Sequence, residues 1–185
     1  GYDNKMIRRF TEMAVQNPKR VVFAEANHAN MLSAAVTAYQ EGICFPILLG
    51  NTDYIHSVAE QNGLNLDGLE IVNLRSGEET ERREKYAKIL AQKRQREGIT
   101  LDEAREKMFD RNYFGMMMVE VGDADAFITG TYTKYTETIQ IAKDVIGIRE
   151  GHKHFGAMHI MNTKKGTYFL ADTLINRHPD SETLV

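Results

Sequence analysis

The 185 residues suffice for one large domain, or one and a half small ones, with its own core, and a net charge of −3 gives no electrostatic attraction toward nucleic acid. The single cysteine, Cys44, rules out an intrachain disulfide, and no apolar run approaches the ~20 residues of a membrane span. The N-terminal segment is polar and charged rather than leader-like, so a cytoplasmic protein with no membrane partner is expected.

In chain order, Met6, Ile7, Phe10, Met13 and Ala14 share one face of a helix predicted over residues 3–16, which Asn17-Pro18 ends. RVVFAE (20–25) reads as a strand buried on both faces. Helical spacing of Met31, Leu32, Ala35 and Tyr39 follows, closed near Gly42. CFPILLG (44–50) is a second strand, residues 51–63 a second such helix, and LEIVNL (69–74) a third strand. Strand and helix in alternation predict a mostly parallel sheet with crossover helices, a three-layer αβα fold.

The stretch at 78–98 is acidic early and basic late, which suits a helix dipole. TLDE (100–103) is a capping box for a helix over 101–110. Phe114, Met117, Met118 and Val121 then mark one face of a helix that Gly122 closes. DAFITG (125–130) is a fourth strand, and a helix through Ile139, Ala142, Val145 and Ile146 follows. HFGAMHIMN (154–162) and GTYFLADTLIN (166–176) read as two strands joined by a polar turn. A boundary near 148–151 would divide a first lobe, 1–148, from the start of a second, 149–185.

Ligands of open parallel sheets bind beyond the carboxyl ends of the strands. Three such ends carry small polar residues: Glu25-Ala26-Asn27, Gly50-Asn51-Thr52 and Thr129-Gly130-Thr131. The threonines could offer hydroxyls and amides to an anion; equally, these segments are the caps and turns every helix needs. Lys93, Arg94 and Arg96 could meet phosphates or form a solvated helix end. His152, His154 and His159 cluster without a carboxylate or cysteine at ligand spacing, so no metal is expected. His28 reads as a helix-start residue. Dinucleotide, P-loop and nucleophile-elbow motifs are lacking in the sequence.

Read together, RVVFAEANHANMLSAA, GICFPILLGN, REGITLDEA, RNYFGMMMVEVGDADAFITG and GTYFLADTLIN resemble the phosphotransacetylase family across nearly the whole chain. RNYFGMMMV with REGITLDEA and KYTETI is most similar to one branch, the phosphotransacetylase-like C-terminal domain of large bacterial NADP-dependent malic enzymes. The resemblance implies a two-lobed α/β fold with coenzyme A or acetyl-CoA as the ligand of the cleft, and a homo-oligomer. True phosphotransacetylases move acetyl between coenzyme A and phosphate. In the malic-enzyme branch the domain would sense acetyl-CoA and hold subunits together, or serve purely as an oligomerisation module; malate decarboxylation, with its NADP and divalent metal, belongs to other domains. The resemblance places Arg94 at a phosphate or acyl site, with Glu97 where the family has a lysine. Thr129-Gly130 takes the place of a Ser-Gly, and Thr131 follows it. Asp172, Thr173 and Asn176 match a cleft-facing A-D-T-x-x-N motif. Gln140 stands where active members have an arginine, and a lost cation there should weaken oxyanion stabilisation. The family continues past Val185 into Ser-Arg and Asp residues of its catalytic cleft, so catalysis by this stretch alone is not expected, and exposed apolar surface of an incomplete second lobe would favour self-association. Phe114, Met117 and Met118 are expected to form the buried side of a helix that braces the fourth strand, which would deliver Thr129 and Gly130 to the cleft.

Overall fold

A computed structural model describes residues 19–130, 135–147, 152–155 and 158–171. The helix predicted over 3–16 lies outside these residues. β1 (Arg20–Phe23) leads into α1 (Ala29–Gln40), β2 (Phe45–Leu49), α2 (Thr52–Gln61) and β3 (Glu70–Val72). After a 3-10 turn come α3 (Thr80–Lys93), α4 (Leu101–Lys107), α5 (Arg111–Glu120) and β4 (Ala126–Thr129). α6 (Tyr135–Val145), β5 (His152–Phe155), β6 (Met158–Asn162) and β7 (Thr167–Ala171) complete the order.

The strands form one sheet in the order β3-β2-β1-β4-β7-β6-β5. β1 to β4 are mutually parallel where they pair, and β7 joins β4 in parallel. β6 runs antiparallel to both β7 and β5. One sequence expectation changes here. The run 154–162, read as one strand, belongs to two antiparallel strands, with Phe155 opposite Met158. β7 lies directly against β4, so strands from both sides of 148–151 share one sheet.

Side chains alternate across the strands, which sorts the core into two layers. Val21, Phe23, Leu48, Ile128 and Phe169 face α1 and α2. Val22, Ile47, Leu49, Phe127 and Tyr168 face α3, α5 and α6. Helices therefore cover both sides of the sheet, and the central strands are apolar on both faces because neither face meets water.

Local signals place most helix ends. The Asn51 side chain caps α2 by accepting from the Tyr54 amide at 2.9 Å. Thr100 caps α4 by accepting from the Glu103 amide at 3.1 Å; the Glu103 carboxylate takes the Thr100 hydroxyl (3.2 Å). Asp110 caps α5 through the Asn112 and Tyr113 amides. α4 ends at Lys107, short of the predicted 110, because Asp110 is already spoken for as the next helix's cap.

The methionine-rich helix is buried on more than the single face its spacing suggests. Every residue from Asn112 to Val119 is buried, Met117 and Met118 completely. α5 is enclosed by the sheet, α3 and α6 at once, and unbranched methionines fill such irregular gaps. Gly115 makes the close approach possible: a Cβ there would sit 2.5 Å from Phe127 Cε1 and 3.2 Å from Leu49 Cδ2.

Candidate functional site

β1, β2 and β3 wind outward in one direction, whereas β4 lies on the other side of β1. The reversal leaves a switch point outside the carboxyl ends of β1 and β4, where open α/β sheets form their ligand crevice. The Ala24 amide donates to Ile128 O at 3.0 Å and holds the two strand ends together. Immediately beyond, the Thr129 hydroxyl donates to Glu25 Oε1; Glu25 is 4% exposed and Thr129 fully buried. A carboxylate is costly to bury, so its presence here, hydrogen-bonded, marks a polar floor in an otherwise apolar sheet. Gly130, also buried, follows directly.

His28 stands at the start of α1 as the sequence suggests, but its side chain caps nothing there. Its Nε2 lies 3.9 Å from Glu25 Oε2. Burial pulls the imidazole below its usual range, the Arg111 charge adds to that, and Glu25 opposes it. Arg111 itself opens α5, and its Nη1 donates to Asn27 Oδ1 at 2.8 Å. Beside it a cavity of about 470 Å³ runs along the carboxyl ends of β1 to β3, between Asn27, Gly50, Asn51, Asn73, Arg75 and Arg111. All three strand ends picked out in sequence as Glu25–Asn27, Gly50–Thr52 and Thr129-Gly130 thus lie along one edge of the sheet.

Arg94 does not join them. It is the C-terminal cap of α3, its Nε donates to Asp144 O, and its Nη2 reaches Lys143 O at 3.4 Å. Those carbonyls belong to the last turn of α6. β5 is parallel to β4, so α6 crosses from the carboxyl edge of the sheet back to the amino edge. Its 11 residues span roughly 16 Å. Arg94 and Thr129 therefore sit at opposite ends of α6, and the shared groove expected from sequence is not formed by these two residues. The guanidinium instead meets helix-end carbonyls, whose dipole favours a cation. Gln140 is exposed and donates to Asp144 Oδ1 of its own helix at 3.3 Å. Thr131, Asp172, Thr173 and Asn176 lie outside the described residues, as do the side chains of His152, His154 and His159. Among the described residues no group of three metal-ligating side chains converges.

Sequence reasoning passed over Arg75 and Arg111. A signal existed for the second: a cation in the first turn of a helix opposes the macrodipole, and only the capping Asp110 stands against it. Arg75 carries no comparable mark; only its place after β3 selects it.

Cys44, by contrast, is a buried thiol whose pKa burial pushes up to about 12, which suits packing rather than nucleophilic chemistry. No helix among the described residues is long and apolar enough to cross a membrane.

A mostly parallel sheet covered by helices on both sides, whose winding reverses above a buried carboxylate–hydroxyl pair, defines an α/β domain of the doubly wound kind. The chain belongs to the phosphate acetyl/butaryl transferase family, whose model matches residues 5–185. It is 33% identical over 185 residues to the NADP-dependent malic enzyme of Escherichia coli, covering 98% of this chain and 24% of that protein. It is also 33% identical over 186 residues to the phosphate acetyltransferase of Thermoanaerobacterium thermosaccharolyticum, covering 97% of this chain and 55% of that one. Among solved structures, EutD phosphotransacetylase from Staphylococcus aureus shares the fold with a TM-score of 0.66 at 21% identity, over 90% of this chain and 49% of that chain. A phosphotransacetylase from Streptococcus pyogenes has the same score at 23% identity, over 91% and 51%. The chain thus spans about a quarter of the malic enzyme and about half of the acetyltransferase.

Proposed function

We propose that this chain is a regulatory, ligand-binding domain of the malic-enzyme type: it takes acetyl-CoA in the carboxyl-edge crevice, supports oligomerisation, and acts in the cytoplasm, while malate oxidation with NADP and a divalent metal occurs elsewhere in such proteins. One observation carries the choice of sensor over transferase. Arg94, the arginine expected to hold the transferring group, is engaged as a helix-end cap, and position 140 holds a neutral amide turned to its own helix. Acyl transfer to phosphate builds negative charge on the reacting oxygen, and preorganised donors or cations at that point supply much of the rate. The described part of the crevice keeps a buried polar floor in Glu25 and Thr129, which serves recognition without that cation.

A second reading, phosphate acetyltransferase, is favoured by the family match and by an acetyltransferase relative as similar as the malic enzyme. Titration of the chain with acetyl-CoA, followed by thermal unfolding and by acetyl phosphate production with added phosphate, separates the two. A sensor is stabilised by about 2.7 kcal/mol at a hundred times Kd, a rise in Tm of roughly 5–10 °C for a domain this size, with no acetyl phosphate formed. Acetyl phosphate at a turnover rate supports the transferase. No stabilisation removes both and leaves an oligomerisation module.

A further inference from the structure

The cavity beside Arg111 is lined by two arginines and by no carboxylate. Arg20, Arg82, Lys93 and Arg105 each pair with a carboxylate within 3.0 Å. Arg75 and Arg111 line the same cavity, and no acidic side chain lines it with them. Both guanidiniums bond to neutral oxygens: Arg75 Nε donates to Phe109 O at 3.0 Å, and Arg111 Nη1 to Asn27 Oδ1. Each planar guanidinium has five N–H donors, so each retains donors for an anion. Gly50 and Asn51 bring the amino end of α2 to the same wall, and Arg111 that of α5; Asp53 and the capping Asp110 offset those helix ends, so the two arginines supply the cationic character.

The rim is as unusual as the floor. Three large apolar side chains are strongly exposed among the described residues, and two of them, Tyr54 (56%) and Phe109 (43%), edge this cavity. The Arg83 guanidinium lies 4.5 Å from the centroid of the Phe109 ring and occupies one of its faces. Tyr54 stands in the first turn of α2 as the more exposed of the two rings. Water-exposed rings beside unneutralised arginines suit a ligand with a planar ring and a phosphate. Asn51 and Asn73 add amides that can pair with ring edges.

We propose that this cavity is a nucleoside-phosphate subsite, in which Arg75 and Arg111 hold the phosphate oxygens and Tyr54 stacks on the base. Two sources offer that chemistry: a free nucleoside diphosphate, or the nucleotide end of a coenzyme A thioester, the latter resting on the thioester reading above. Calorimetric titration of the full chain with ADP, pyrophosphate and acetyl-CoA, at ionic strength matched with sodium chloride, tests the subsite. ADP should bind more tightly than pyrophosphate. Arg75→Gln and Arg111→Gln should each weaken ADP about tenfold or more, while Lys165→Gln, at the opposite edge of the sheet, leaves binding unchanged. Tyr54→Ala, on the exposed rim and harmless to the core, should lower affinity for ADP and not for pyrophosphate. If acetyl-CoA displaces ADP, the thioester is the source; if ADP binds and acetyl-CoA does not, the subsite stands and the thioester reading falls. No binding above the salt control, or binding of ADP indifferent to all three cavity variants, overturns the proposal.

Discussion

Gly115→Val is expected to lower stability by about 3 kcal/mol. For a domain this size that corresponds to a drop in Tm of roughly 6–12 °C. α5 lies so close to the sheet that even a Cβ would meet Phe127 Cε1 at 2.5 Å and Cδ1 at 2.9 Å. Phe127 cannot yield easily, because it is fully buried and its ring packs against Tyr168 at 6.3 Å between centroids. Gly115→Ala is the informative intermediate. Alanine gains about 1 kcal/mol of helix propensity over glycine, so its net loss should be smaller than that of valine. Chemical denaturation of the three proteins gives the ranking glycine, alanine, valine; valine as stable as glycine would mean that α5 stands off the sheet. The consequence reaches the crevice, since Phe127 lies two residues before Thr129 on the strand that Gly115 lets α5 brace.

Lys93→Met should cost about 3 kcal/mol. Lys93 Nζ donates to Glu120 Oε1 at 2.6 Å and to Val145 O at 2.9 Å, joining the ends of α3, α5 and α6. The other Glu120 oxygen, Oε2, accepts from Tyr168 on β7 at 2.9 Å. Glu120 is only 10% exposed, so removal of the ammonium leaves a carboxylate with little water to replace it. Burial and that carboxylate both hold the Tyr168 phenol above its ordinary range. The double variant Lys93→Met with Glu120→Gln should lose clearly less than the two single losses added together, because the neutral amide no longer needs a cation. Simple additivity in the cycle would show that the pair is not coupled.

Much of the architecture was legible because strand and helix periods differ and because glycines and asparagines punctuate them. Gly42, Gly63, Gly98 and Gly122 all have positive φ near the helix ends that the sequence marks. That the segments around Glu25, Asn51 and Thr129 share one edge was legible too, since parallel strands place their carboxyl ends together. Arg94 was not. A basic residue at the end of a helix looks the same in sequence whether it caps a neighbouring helix or awaits an anion; only the approach of α6 decides. The antiparallel pairing of β5 with β6 escaped notice because the sequence 154–162 holds no Asn-Gly or Asp-Gly pair to divide it. The full burial of α5 also exceeds what periodicity reveals. Phe114, Met117, Met118 and Val121 mark a face, but Asn112, Tyr113, Met116 and Val119 are buried by partners distant in sequence.

The sensor reading comes down to whether acetyl-CoA contacts the carboxyl edge of this sheet. Amide hydrogen exchange with and without acetyl-CoA measures that directly. Protection should concentrate at residues 25–28 and 129–130, extending to 73–75 and 109–112 if the nucleotide end enters the cavity, while 93–98 and 143–147 stay unchanged. Protection confined to 93–98 and 143–147, at the far end of α6, or none at all, would contradict the account.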